Sequence, residues 1–316
     1  MEIGTMADVQ PKKVDWLWHP YIPFGKLSMI QGNPGEGKTT LALRIAAACS
    51  KGEPLPGCEA HEPFRVFYQN AEDGLEDTIR PRLEKANADL SMIHYIKENE
   101  HSLSMADERI EAAIAETGAR LMILDPVQAY VGKYVDMNRA NDVRDVMKSL
   151  GSVADRTNCA ITLIGHLNIA QGMNSSYRGL GSIDFRAAPR SIMLVGRMKN
   201  DPNARIVVHD KSSLAPQGKS LAFTLDDDTG FRWLDGYGDI SSDDLLGGIS
   251  PDTKCADASN LILSMLADGK PVPASEIYRE EHERGISERT LKEAKKNISG
   301  IGTRKVANLW YWQLKE

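Results

Sequence analysis

Leu27-Ser28-Met29-Ile30-Gln31-Gly32-Asn33-Pro34-Gly35-Glu36-Gly37-Lys38-Thr39-Thr40 decides the fold of this 316-residue chain. Its first five residues form a short, largely apolar run that suits a strand buried on both faces. Gly32-x4-Gly37-Lys38-Thr39 follows directly, and Thr39–Ser50 then sets Leu41, Ile45 and Cys49 on one helical face. Strand, glycine-rich turn and helix in this order are the context that a phosphate-binding loop requires. Glycines let backbone N–H groups turn inward around phosphate oxygens, and the helix N-terminus adds partial positive charge. Gly32, Asn33, Pro34, Gly35, Glu36, Gly37, Lys38, Thr39 and Thr40 are therefore the expected cradle for ATP. Lys38 would reach the β- and γ-phosphates, and the Thr39 hydroxyl would bind Mg²⁺.

Outward from this segment, Arg65–Gln69, Leu121–Asp125 and Ala160–Gly165 also read as short buried strands. Asn141–Thr157 reads as a helix with Val143, Met147, Leu150 and Ala154 on one face. Strand alternating with helix predicts an α/β fold with a mostly parallel sheet covered by helices. After Gly165 the pattern changes. Ser191–Gly196, Arg205–Asp210, Leu221–Leu225 and Phe231–Leu234 are separated by turn signals, which predicts hairpins extending the sheet at one side. The organisation expected is a flexible stretch at 1–15, an ATPase domain at 16–235, a linker at 236–256 rich in Gly, Ser and Asp, and a small domain at 257–316. The last holds three helical patterns, Ala258–Ala267, Ala274–Arg284 and Ser287–Asn297. A turn at Gly300–Thr303 and a strand at Ala307–Leu314 complete a winged-helix-like module.

Composition excludes several classes. With 41% apolar and 26% charged residues the chain reads as globular, and no stretch approaches the length of a membrane span. The first residues lack the layout of a signal peptide, so a cytoplasmic location is expected. Cys49, Cys58, Cys159 and Cys255 form no Cys-x-x-Cys pair, which predicts no zinc site. A net charge of −6 argues against a surface coated in cations. Between Arg284 and Lys305, however, seven Lys or Arg face only Glu288 and Glu293, a local balance of +5.

Two carboxylates complete a hydrolytic set. Asp125 ends the apolar strand Leu121–Asp125, where it could hold the water shell of Mg²⁺ beside Thr39. A strand-end Asp can also be a plain turn residue. Glu72 follows the strand after the P-loop helix, and parallel neighbours deliver their C-terminal ends to one crevice. It is the candidate base that polarises water, with Asp73 as competitor and a helix-capping acid as the ordinary alternative.

Gly32–Thr39, Asn70-Ala71-Glu72-Asp73, Leu121–Pro126, Ile164-Gly165-His166-Leu167-Asn168 and Arg178-Gly179-Leu180-Gly181-Ser182 occur in this order. Together they resemble the RecA-type P-loop ATPases of plasmids and phages, including RepA-like hexameric replicative helicases. The resemblance covers about residues 14–235. It implies that His166 senses the γ-phosphate and that Arg190 is an arginine finger reaching a neighbouring subunit, with Arg186 and Arg178 as competitors. It offers Lys211 as a second trans-acting cation, although a solvated edge-strand lysine fits equally well. The loops after the Asp125 and His166 strands would face a central channel for single-stranded DNA, with Lys133, Arg139 and Arg178 as its cations and Tyr130, Tyr134 and Tyr177 able to stack on bases. In the terminal module, Arg289, Lys292 and Lys296 share one face of the third helix, which suits DNA contact as well as it suits a solvated surface. Trp310 and Trp312 are expected to anchor the hairpin in its small core.

The expectation is thus a DNA-dependent ATPase acting as a self-associated ring, a hexameric helicase-like motor. The alternative is a nucleotide-switched loader, recombination mediator or regulator similar to KaiC- or RadA-like proteins. A metabolic kinase on the same loop would need an acceptor lid, and the sequence shows no such segment.

Overall fold

The computed structural model describes residues 3–98, 101–132, 135–137, 139–167, 184–198, 203–226, 230–247, 251–266, 270–283, 288–298, 301–306 and 309–314. The chain divides into two compact units, Met1–Ser242 and Asp243–Glu316. The first opens with β1 (Trp16–Trp18), β2 (Ile22–Pro23), β3 (Leu27–Gly32) and α1 (Lys38–Lys51). It continues through β4 (Val66–Asn70), α2 (Arg80–Lys85), β5 (Ile93–His94), α3 (Glu108–Thr117), β6 (Leu121–Asp125), α4 (Ala140–Thr157) and β7 (Ala160–His166). It ends with α5 (Asp184–Ala187), β8 (Ser191–Arg197), β9 (Ala204–Ser212), β10 (Leu221–Asp226) and β11 (Gly230–Leu234).

Nine strands form one sheet in the order β11-β10-β9-β8-β3-β7-β6-β4-β5. From β8 to β5 the pairing is parallel, and β9, β10 and β11 join as antiparallel hairpins at one side. Both expectations for the sheet hold. Successive side chains of a strand point to opposite faces, and here both faces are buried. In β6, Leu121 and Ile123 join the core beneath α1, whereas Met122 and Leu124 join the core beneath α3 and α4. α4 supplies Val143, Val146, Met147, Leu150, Val153 and Ala154 to that second layer. No helix is expected at 108–117 from the sequence, yet α3 is capped there by Asp107, whose side chain accepts from the Arg109 N–H, and closed by Gly118 at φ +68°.

The second unit holds α7 (Pro251–Leu266), α8 (Ala274–Glu283), α9 (Glu288–Asn297) and a three-stranded antiparallel sheet of β12 (Val272–Pro273), β14 (Leu309–Leu314) and β13 (Ile301–Val306), while α6 (Ser242–Gly247) begins at the boundary. Leu261, Ile262, Leu266, Ile277, Leu291, Ala294 and Trp312 make its core. Three expectations are corrected here. The expected linker at 236–256 contains α6 and the start of α7. The turn expected at Gly300–Thr303 belongs mostly to β13, held by its ladder with β14 rather than by an apolar run of its own. Trp312 is buried and anchors the sheet as expected, but Trp310 is 55% exposed. Among the described residues no helix is long and apolar enough to cross a membrane.

Candidate nucleotide-binding and hydrolysis site

All six residues of β3 are buried, so the chain leaves the sheet at Gly32 as a stiff rod. At Gly32 a Cβ would collide with the Val195 carbonyl of β8, so only glycine lets the loop start there. Gly35 and Gly37 take φ +75° and +91°, left-handed values that strain any residue with a side chain. The loop thereby turns back onto the N-terminus of α1, with Thr39 and Thr40 in its first turn. The Lys38 side chain is buried, and its ammonium donates to the Asn33 carbonyl at 2.8 Å, so it folds across the loop. Burial pushes its pKa down, against the pull of Asp125, Glu36 and Glu72.

The neighbouring strands bring the acids to the same edge. Thr39 Oγ1 donates to Asp125 Oδ2 at 2.8 Å, and the Tyr68 hydroxyl of β4 donates to the same oxygen at 2.6 Å. Burial pushes the Asp125 carboxyl upward, and these two hydroxyl donors hold it back. A hydroxyl and a buried carboxylate in contact beside the loop fit Mg²⁺, an oxygen-seeking cation whose charge would offset the burial of Asp125.

Asn70 faces Asp125 across the β4–β6 ladder, and Gly32 faces His166 across β3–β7. Asn70 Oδ1 accepts from the backbone N–H groups of Glu72 at 2.9 Å and Asp73 at 2.7 Å, which fixes the bend that carries both acids. The two acids then differ. Asp73 pairs with Arg82 at 3.2 Å, whereas the Glu72 carboxylate is 61% exposed and 3.9 Å from His166 Nε2. His166 Nδ1 is buried and meets no hydrogen-bond partner among the described residues.

Lys38, Thr39, Asp125, Glu72 and His166 are therefore brought to one edge of the sheet. Two residues there went unread in the sequence. Tyr68 is buried in β4 and orients Asp125; a tyrosine inside an apolar strand needs a partner for its hydroxyl, and that was the available signal. Arg197 ends β8, the other parallel neighbour of β3. It donates to the Gly35 carbonyl at 2.9 Å, with its Nε 3.6 Å from Glu36 Oε2. The strand-end geometry that points to Asp125 and His166 points to Arg197 as well.

Arg190 and Lys211 lie elsewhere. Ser191 pairs with Ser28 at the N-terminal end of β3, and Lys211 faces Ile192 in the β8–β9 ladder. Both cations thus stand toward the opposite edge, Arg190 about 16 Å and Lys211 about 10 Å of strand away from the loop. Within one chain neither joins the phosphate site.

Of the expected nucleic-acid contacts, Arg139 is exposed at the start of α4, 3.6 Å from Asp136. Lys292 and Lys296 are exposed on α9, while Lys295 between them lies 3.9 Å over the Trp312 ring. Lys133, Tyr134, Tyr177 and Arg178 lie outside the described residues, as does the Arg289 side chain. Tyr130 is 1% exposed in the core, so it has no free face for a base.

A model of the AAA domain family matches residues 3–172, more than half of the chain. A DNA repair protein RadA of Halalkalibacterium halodurans is 27% identical over 146 residues, 45% of this chain and 28% of that protein. The chain therefore spans under a third of the length of this relative. Among solved structures, a DnaB-like replicative helicase described with its interactions with primase matches with a TM-score of 0.51 at 16% identity, covering 66% of this chain and 56% of that one. A second solved structure, an isolated ATPase domain, matches at 0.50 and 17%, covering 66% and 84%. These two likenesses show a shared fold over about two thirds of the chain.

Proposed function

This chain belongs to the AAA domain family, with a RecA-type P-loop fold, and we propose that it is a DNA-dependent ATPase that works as a ring, a helicase-like motor. One observation carries the reading: Lys38, the Thr39–Asp125 pair and the Glu72–His166 pair converge on one sheet edge while Arg190 stands at the other. A site divided in this way is complete only when a neighbouring copy brings its Arg190 to the loop. Self-association then becomes part of the chemistry.

In this reading Lys38 holds the β- and γ-phosphates and stabilises the charge that builds on the transferred group. Glu72 accepts the proton of the attacking water. His166, 3.9 Å from Glu72, registers the loss of the γ-phosphate and passes it into the loop that follows β7. Thr39 and Asp125 would hold Mg²⁺, which when bound would offset phosphate charge. Support for DNA as partner comes from the relatives, one named for DNA repair and one for replicative helicase function. We read the second unit as a winged-helix-like module whose α9 cations Lys292 and Lys296 touch DNA.

Burial of Tyr130 favours the second reading, a nucleotide-switched loader or regulator that binds DNA without unwinding it, because it removes one stacking surface from the channel. Steady-state ATP turnover with and without single-stranded DNA tests the choice, with Lys38→Ala as the blank. Strong stimulation that vanishes in Lys38→Ala supports the motor. A low rate indifferent to DNA overturns it in favour of the switch.

A further inference from the structure

We propose that Lys211 is a positioning residue, clamping the backbone just before Arg190 and setting where the Arg190 guanidinium stands, rather than meeting a phosphate itself. The inference rests on Arg190 acting in a neighbour's site. Its basis is a count of donors. Lys211 Nζ donates to the carbonyls of Arg186 at 2.8 Å, Ala187 at 2.9 Å and Pro189 at 2.9 Å. An ammonium carries three protons, so none remains for a phosphate oxygen while this clamp is closed.

Everything around the clamp is fixed as well. Asp184 pairs with Arg144 of α4 at 3.2 Å, Phe185 is buried in the core beneath α4, and Arg186 pairs with Asp210. The Arg190 N–H donates to the Leu27 carbonyl at 2.8 Å, and its own carbonyl accepts from Ser213 N at 2.9 Å. Backbone held on both sides contrasts with a side chain that is exposed and meets no acceptor among the described residues.

Arg190 borders an open cleft of about 690 Å³. Of the other cations lining the cleft, Lys26 pairs with Asp155 at 2.6 Å, Arg144 with Asp184 and Arg156 with Glu111 at 2.6 Å, while Lys148 stands on α4. An arginine that must meet a transferring phosphoryl group gains from a backbone that does not have to reorganise at the moment of reaction. Burial and the nearby Arg186 and Arg190 charges lower the Lys211 pKa.

The test compares ATP turnover by the full-length chain carrying Arg190→Ala, Lys211→Met or both, under conditions of self-association. Arg190→Ala is expected to lower kcat on the order of 10³-fold. Lys211→Met should lower kcat about 10- to 100-fold with the KM for ATP little changed. The double variant should fall no further than Arg190→Ala alone. Mixing Lys211→Met with Lys38→Ala should restore turnover, because the first keeps an intact loop and the second lends a well-placed Arg190.

A further loss in the double variant would mean that Lys211 meets the phosphate directly, which overturns the proposal. Failure of mixing to restore turnover would place the defect in the variant's own site and overturn it too. An inactive Arg190→Ala beside a fully active Lys211→Met sinks the clamp alone. A fully active Arg190→Ala sinks the finger reading on which the clamp rests. Thermal melts check folding, and Lys211→Gln carries the same comparison should Lys211→Met fail to fold.

Discussion

The two edges of the nine-stranded sheet are built on opposite principles. At the edge where β3, β6 and β7 end, polar groups gather with their bonding incomplete: Glu72 is mostly exposed, His166 Nδ1 is buried without a partner among the described residues, and Lys38 rests on a loop carbonyl. At the edge where β8 begins, nearly every polar group is satisfied. Lys211 spends three protons on three carbonyls, Arg186 is paired with Asp210, and His209 is bonded through both ring nitrogens. Buried polar groups left unsatisfied cost free energy, so an edge that keeps them is holding them for a ligand. An edge that pairs Arg186 and Lys211 yet leaves the neighbouring Arg190 side chain exposed is holding that arginine for presentation.

Replacing Glu72 by Gln strikes the open edge hardest. The side chain keeps its shape and loses only its capacity to take a proton. Turnover should fall on the order of 10²- to 10⁴-fold while ATP binding persists. Fluorescent-nucleotide titration beside a phosphate-release assay separates the two. Asp73→Asn is the matched control, and since Asp73 is already engaged with Arg82, its effect should be small. If Asp73→Asn is the inactive variant, the base is misassigned.

How much of this could be read beforehand differs between the edges for a physical reason. The loop, Asp125 and the buried strands are legible because local chemistry dictates them: glycine spacing, apolar runs and a carboxylate at a strand end. Tyr68 and Arg197 join the site only through strand order, with β4 reaching Asp125 across one ladder and β8 flanking β3 on the other side. The Lys211 clamp is less legible still. It links residues 22–25 positions apart through carbonyls, which any residue could supply, so no side-chain pattern marks it. α3 is hard to read because only Ile110 and Ile114 are buried along it, a narrow apolar stripe. In the second unit, β13 carries Thr303, Arg304 and Lys305 exposed, and only the partner strand makes it a strand.

The closed edge should show itself in pH. His209 is buried, with Gly218 N–H donating to Nδ1 at 2.8 Å and Nε2 3.0 Å from Ser191 Oγ. Nδ1 accepts, so the ring is neutral with its proton on Nε2. Burial lowers its pKa from 6.5 to about 4. Between those values the unfolded chain binds the proton and the folded chain does not. The stability from keeping the ring neutral is complete above pH 6.5 and is lost as pH falls through this window to about 4. The loss should reach at most about 3 kcal/mol. Carboxylates titrate there as well, so the measurement is the difference in melting temperature between wild type and His209→Gln as a function of pH. That difference should shrink as the pH is lowered from 6.5 to 4. A difference flat across the window would mean that the ring is not held neutral and the edge is looser than its bonds suggest.

The smallest effect is the one that decides whether the contrast is needed at all. Arg197 sits at the open edge with its side chain 49% exposed, bonded to the Gly35 carbonyl and near Glu36. As a brace for the loop it contributes one charge-assisted hydrogen bond in partly solvated surroundings, about 1 kcal/mol. Arg197→Ala should then raise the KM for ATP roughly fivefold and leave kcat nearly unchanged, since loop shape affects ground state and transition state alike. Steady-state kinetics over a range of ATP concentrations gives both constants. A fall in kcat at constant KM would mean that Arg197 leaves Gly35 and meets the phosphoryl group as it transfers. The open edge would then hold its own arginine in cis, and a second one carried across from a neighbour's closed edge would have no charge left to offset.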